Sequence, residues 1–246
     1  MPYSDPAIAT AVHAAGIAGL SLRPYYTNPA TTLRPGSGDA PRLFVAGWNP
    51  GGPSSTSSST PARPICTPLG VPAPPPPAHA NDWCAYLDDA PWPSRFRPNL
   101  EALAVAVLGG SQVLRQAFCS NAFFMRWDAR PRLPARRRLW DACHPWHAKW
   151  LATMGSARIL CLGRGEAALA SPYACFRDLL QRAPFAGFRQ LAPLVMVAGY
   201  PVTSCEATLS GQLVRIVGVH HPSWRGPPRS NPSWPATATR IRTLLT

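Results

Sequence analysis

Three uncharged polar side chains stand just beyond apolar runs. They are Asn49 in Gly47-Trp48-Asn49-Pro50-Gly51, Asn121 in Ser120-Asn121-Ala122-Phe123-Phe124, and His221 in Val219-His220-His221-Pro222-Ser223-Trp224. A carboxamide is a weak base, so its chemical use is orientation, and it offers a partner both a donor and an acceptor. A neutral imidazole can donate a hydrogen bond to developing negative charge. Taken singly, each has an ordinary explanation: Asn before Pro initiates turns, an Asn after a strand caps the next turn, and a loop His is usually structural or solvated. Turn chemistry explains the three together, in this order at strand ends, much less easily.

The elements that must position them follow from periodicity. RLFVAGWN, residues 42–49, is a short, nearly continuous apolar run, as in a strand buried on both faces. QAFCSNAFFMRW, ARILCLG, PLVMVAGYPV and QLVRIVGV read as further strands, with TSCEATLSG as a hairpin-like connection between the last two. Helices are predicted at 6–20, in NLEALAVAVLGGSQVL, in PARRRLWDACHPWHAKWLATMG with one proline disruption, in RGEAALASPYACFRDLLQRA and in PATATRIRTLL. Strands alternating with helices predict an α/β fold: three layers, α/β/α, around a central, mainly parallel sheet. In such sheets the site lies beyond the carboxyl ends of the strands. Residues 1–246 are expected to form a single domain. Its Ser/Thr/Pro-rich stretch at 53–80 is expected to be a long, mobile inserted loop, because it cannot bury a core.

A formal charge of +13, with only 11 acidic residues, points to a polyanionic partner such as nucleic acid, or to an anionic membrane surface. Part of the arginine richness is what a GC-rich genome produces. The seven cysteines, Cys66, Cys84, Cys119, Cys143, Cys161, Cys175 and Cys205, form no CxxC pair, which favours free thiols in a reducing compartment. They argue against a metal or iron–sulfur site. The N-terminal AIATAVHAAGIAGL lacks a basic start and is too short to span a bilayer, so neither a signal peptide nor a membrane segment is expected.

GWNPG followed far downstream by HPS resembles the two signature motifs of the uracil-DNA glycosylase superfamily. The Asn in the first motif resembles the mismatch-specific and the single-strand-selective monofunctional branches. CSNAFF resembles the family's middle strand, and RILCLGRGEAALA its third strand and following helix. The resemblance runs from about residue 42 to the end, leaving 53–80 unmatched. It implies a monomeric, monofunctional DNA glycosylase of base excision repair, with no metal or organic cofactor. Such a protein would lie in the cytoplasm or nucleoid of a bacterium, or in the nucleus of a eukaryote.

The resemblance also implies roles. Asn49 would position the attacking water, and His221 would hydrogen-bond the uracil O2 as charge develops there. Asn121 would read the O4 and N3–H edge of a base flipped out of the stack. Gly47, Trp48, Pro50, Gly51 and Phe123 would complete the pocket. Gly51 stands where strict uracil enzymes carry a tyrosine that blocks the thymine methyl, so tolerance of 5-hydroxymethyluracil is expected. The loop from Ser223 would contact DNA, with Trp224 and Arg225 as the wedge and Arg229 on a phosphate. The motif places the family's His directly before Pro-Ser, which selects His221; His220 should point to the other face.

The sequence departs from the family after the first motif, where the base-stacking aromatic is missing. Trp83, Tyr86, Trp92 or Phe123 are the available substitutes, each also explained by packing. Arg136-Arg137-Arg138 reads as a solvated helix face or a phosphate contact. Lys149, the only lysine, sits on a helix ahead of the third strand, which argues against Schiff-base lyase chemistry. His144 and His147, beside Cys143, have a spacing that could hold a metal, with packing the better explanation. GRGEAA lacks the full glycine fingerprint of a dinucleotide site. Two other readings stay open: a catalytically inactive nucleic-acid binder on this fold, and an α/β enzyme acting on free nucleosides or nucleotides. The preferred base, hypoxanthine included, and the strand preference are not fixed by the sequence.

Overall fold

The computed structural model describes residues 2, 5–16, 21–22, 27, 33, 42–48, 67–68, 84, 87, 95–125, 127, 131–191, 200, 202–223 and 226–245. Helix α1 (Pro6–Ala14) starts where the Asp5 carboxylate accepts from the Ala7 amide at 2.8 Å and Pro6 supplies a fixed φ. Two short strands, β1 (Ser21–Leu22) and β3 (Thr67–Pro68), pair antiparallel. Thr67 and Pro68 are the only described residues of the predicted 53–80 insertion. Strand β2 (Arg42–Gly47) follows the first apolar run. Helix α2 (Phe96–Leu103) continues as a π-helical turn, Ala104–Leu108, that stops at Gly109, where φ is +86°. Then come α3 (Gln112–Gln116), β4 (Phe118–Asn121), α4 (Leu133–Met154), β5 (Ala157–Leu162), α5 (Pro172–Leu180), β6 (Phe185–Gln190), β7 (Thr203–Leu209), β8 (Gln212–Val219) and α6 (Trp234–Leu245).

Six strands form one sheet in the order β4-β2-β5-β8-β7-β6. The first four are mutually parallel, and β7 and β6 add to the edge antiparallel. Alternate side chains of one strand enter different apolar clusters, as the two-residue period requires. Phe44, Ala46, Ile159 and Ile216 join α1, α4 and α5; Val45, Leu160, Val217 and Val219 join α2, α3 and α6.

Two sequence expectations need correction at this antiparallel edge. The stretch read as a connection, TSCEATLSG, is mostly a strand, β7, and the turn is only Ser210-Gly211. Both turn residues have positive φ, +51° and +80°, the geometry that matches strand twist in a two-residue hairpin. Glu206 is buried in mid-strand and tolerated because Arg189 and Arg215 both bond its carboxylate. Strand β6 was not anticipated either. It is an edge strand, largely exposed, with a register shift between Ala186 and Arg189. Of the expected strand PLVMVAGYPV, only Tyr200 and Val202 are described, and both are buried.

The expected proline disruption is also absent: α4 runs 22 residues straight through Pro145. Its apolar face holds it, with Leu139, Trp140, Cys143, His147, Trp150 and Leu151 buried against the sheet. His147 sits in a cage of rings from Phe44, Phe124, Trp140, Trp150 and Phe176, all with centroids within 5.9 Å. Its Nε2–H donates to the Ala122 carbonyl at 3.0 Å, and among the described residues its Nδ1 has no partner. Burial pushes this imidazole down to about 3. The unfolded chain, with a His pKa of about 6.5, therefore takes up a proton that the folded chain refuses. Stability contributed by neutral His147 is complete above about pH 6.5 and is lost progressively toward pH 3. Urea unfolding at pH 5 is expected to show about 2 kcal/mol less stability than at pH 7 from this residue alone. In His147→Gln the pH slope of stability should be shallower by about 1.4 kcal/mol per unit, and equal slopes would refute the assignment.

Candidate functional site

The sheet register gathers the sequence motifs along one edge. Ser120, Ala46, Cys161 and Gly218 pair across β4, β2, β5 and β8 in a single row. Asn121 is one residue beyond that row and pairs with Gly47. His221 is three residues beyond it, past the end of β8. Asn49 has the same offset in sequence from Ala46, but Asn49, Pro50 and Gly51 lie outside the described residues. So do Trp83, Tyr86, Trp92, Trp224 and Arg225.

The ends of β2 and β4 are fastened to each other past the ladder. The Ala122 amide donates to the Gly47 carbonyl at 2.9 Å, and the Phe123 amide to the Trp48 carbonyl at 2.8 Å. His147 holds the Ala122 carbonyl from below. The Asn121 side chain is thus set at a fixed level on the sheet, and Asn121 is only 2% exposed. Trp48 is half-buried, edge-on to Trp127 at 5.8 Å. Phe123 is completely buried, its ring covered by Trp127 at 5.0 Å and Trp140 at 6.0 Å. It is a core residue here, with no ring face open for stacking a base.

His221 is the best-defined residue of the set. Its ring packs on Phe96 of α2, centroids 5.6 Å apart. One turn along α2, the Asn99 amide donates to the Pro222 carbonyl at 2.7 Å. Gly226 lies so close to Asn99 that a Cβ there would collide with the amide. The Ser223 amide donates to His221 Nδ1 at 3.2 Å. A backbone amide only donates, so Nδ1 is unprotonated and the neutral ring carries its proton on Nε2. Burial pushes the His221 imidazole down to about 4, which keeps it neutral near pH 7. His220 takes different neighbours, packing on Tyr200 at 5.2 Å. Arg229 is exposed in the following turn.

Other sequence features resolve into structural roles. Arg136 is buried and bonds the Leu169 carbonyl at 3.0 Å; Arg137 pairs with Asp178 at 2.7 Å; Arg138 alone of that run is exposed. Burial would raise the Asp178 carboxyl, but bonds from Arg137 and Trp140 outweigh it and hold the group below the usual carboxylate range. His144 accepts from Arg182 at 2.9 Å while His147 faces the rings, so the two do not converge. Among the described residues no three His, Cys, Asp or Glu side chains group as metal ligands, and no helix is long and apolar enough to cross a membrane. Lys149 is exposed over the Trp146 ring at 5.3 Å, near the end of α4 that leads into the start of β5, opposite the motif edge.

Sequence reasoning missed Phe96 and Asn99, which position the His221 loop from 123 residues away in the Asn99–Pro222 pair. No local signal could have shown them. No protein-family model, curated protein or solved structure matches the chain.

Proposed function

We propose that the chain is a monofunctional DNA glycosylase that hydrolyses the N-glycosidic bond of uracil or a related damaged pyrimidine, on a three-layer α/β/α fold of the uracil-DNA glycosylase type. The observation that carries this reading is the state of His221: neutral, with its proton on Nε2, at the same sheet edge as Asn121 and the β2 terminus. Breaking the bond leaves positive charge on the sugar and negative charge on the base. His221 Nε2–H donates to the base oxygen where that charge collects, a stabilisation that grows toward the transition state. A neutral imidazole suffices as this donor. Asn121 reads the edge of the extruded base, and Asn49 orients the water. Lys149 stands away from this edge, in keeping with hydrolysis without strand cleavage. The surplus of positive charge, +13, favours DNA over free nucleosides as substrate.

The test is a panel of single- and double-stranded oligonucleotides carrying uracil, 5-hydroxymethyluracil or hypoxanthine. Strand breaks that appear only after alkali support the reading. Cleavage before alkali, or no abasic product from any substrate, contradicts it. Gly51 predicts that 5-hydroxymethyluracil is released as well as uracil; activity restricted to uracil would overturn that part.

Asn99→Ala removes the tether on Pro222. It should cost about 1 kcal/mol of stability but lower single-turnover base release by about tenfold or more, because the His221 loop loses its register. Melting curves and single-turnover rates check this, and an unchanged rate would show that the tether does not serve His221.

A further inference from the structure

Four charged side chains form a row across the sheet, at the end away from the motif edge. Arg158 of β5 is the register partner of Arg215 of β8, Arg215 that of Glu206 of β7, and Glu206 that of Arg189 of β6. Arg158 lies on the same strand face as Leu160, and Arg215 on that of Val217, so the row faces the layer of α2, α3 and α6. It stands three residues before the Cys161–Gly218 pair that is level with the motifs.

One carboxylate serves three guanidiniums here. Arg189 bonds one Glu206 oxygen, and Arg215 Nε bonds the other at 2.8 Å. Arg158 has no share in it. Among the described residues its hydrogen bonds are two long ones, from Nη1 to the Ala157 and Leu213 carbonyls, both at 3.4 Å. Its Nε is shielded from solvent and has no partner among the described residues. Arg158 is nevertheless only 8% exposed. Like charges directly opposite each other on neighbouring strands repel, and a buried cation without a counter-charge is costly. Burial, and then the Arg215 charge, hold the Arg158 guanidinium below the usual arginine value. Glu206, the one carboxylate acting on it among the described residues, offsets this only in part. Two positive charges of the row are thus unmatched. A phosphoryl group carries about −1.5 to −2 at pH 7 and offers three strong acceptor oxygens, so it matches both that charge and the guanidinium fork. Arg215 and Arg189, with side chains 21% and 69% exposed, leave the row open to solvent.

From these observations we infer that Arg158 and Arg215 form an anion site for a phosphoryl group, at the opposite end of the sheet from the motifs. The inference does not rest on the glycosylase reading. It is tested by thermal melts and titration calorimetry of wild type, Arg158→Met and Arg215→Gln, with inorganic phosphate and with a deoxynucleoside 5′-monophosphate at fixed ionic strength. Arg138→Gln, on the exposed face of α4, is the control. Ligand at 100 times its Kd should raise the folding constant of wild type about 100-fold. Each row variant should bind at least about tenfold more weakly, with the control like wild type. Without phosphate, Arg158→Met should melt no lower than wild type, because it removes a buried charge that lacks a partner. That result separates a binding role from a structural one, and Arg215→Gln carries the binding test if Arg158→Met does not fold. Whichever ligand gives the larger shift identifies the source of the phosphoryl group. No shift of wild type by either ligand, or equal shifts in wild type and the row variants, would overturn the inference.

Discussion

If the proposed function holds, replacing His221 by Ala should lower the single-turnover rate of base release by about 10²–10³-fold, the usual consequence of deleting one hydrogen-bond donor to a developing oxyanion. Binding of undamaged DNA should change little, since the donor matters only as charge builds on the leaving base. Stability should fall modestly, because the ring packs on Phe96 but remains partly exposed. The pH dependence separates this role from that of a charged histidine. With the imidazole held near 4 by burial, the rate should show no His221 titration between pH 5.5 and 8. A rate that rose as pH fell through 6.5, in step with imidazolium formation, would mean that the charged form is the active one. His220→Ala, by contrast, should leave the rate close to wild type, because that ring packs on Tyr200.

The second large effect is on stability. A Cβ on Gly218 would lie 2.8 Å from Tyr173 Cδ2 and 2.9 Å from Thr203 Oγ1. Neither neighbour can yield easily. Tyr173 is fully buried and its hydroxyl accepts from Gln190 at 2.8 Å, while Thr203 is the cross-strand partner of Gly218 in β7. Gly218→Ala should therefore cost about 1–3 kcal/mol through overpacking. In a chain of this size that is a drop in melting temperature of about 2–4 °C per kcal/mol. Gly218 lies three residues before His221, so the same change should also slow base release beyond what the lost stability explains. The pair of measurements is a melt and a single-turnover rate below the melt; a wild-type melting temperature would show that β8 has room the packing denies.

The parallel core was legible because its strands are nearly continuous apolar runs, and LFVAG, AFCSN, RILCL and VRIVGV need no tertiary knowledge to read. The antiparallel edge was not. β7 carries Thr, Ser and Glu on a strand, and only Arg189 and Arg215, distant in sequence or on the neighbouring strand, make the buried Glu206 acceptable. The polar tips at the motif edge could be found because a carboxamide or imidazole after an apolar run stands out. What holds them could not. The Asn99 tether, the His147 bond to Ala122 and the Ser223 amide on Nδ1 are contacts made by folding, and two of the three join residues far apart in the chain. Phe123 shows the converse. An aromatic near the motif reads as a stacking candidate, yet Trp127 and Trp140 cover it.

On the proposed function, hydrolysis depends on Asn49 and His221 together. The measurement that tests it most directly is single-turnover release of free uracil from a uracil-containing oligonucleotide by wild type, Asn49→Ala and His221→Ala, with DNA affinity measured on the same samples. Wild type should release uracil and leave the strand intact until alkali is added, and both variants should be at least about 10²-fold slower at nearly unchanged affinity. Salt-sensitive binding by all three proteins with no base released by any would contradict it, and would mean that the motifs serve binding alone.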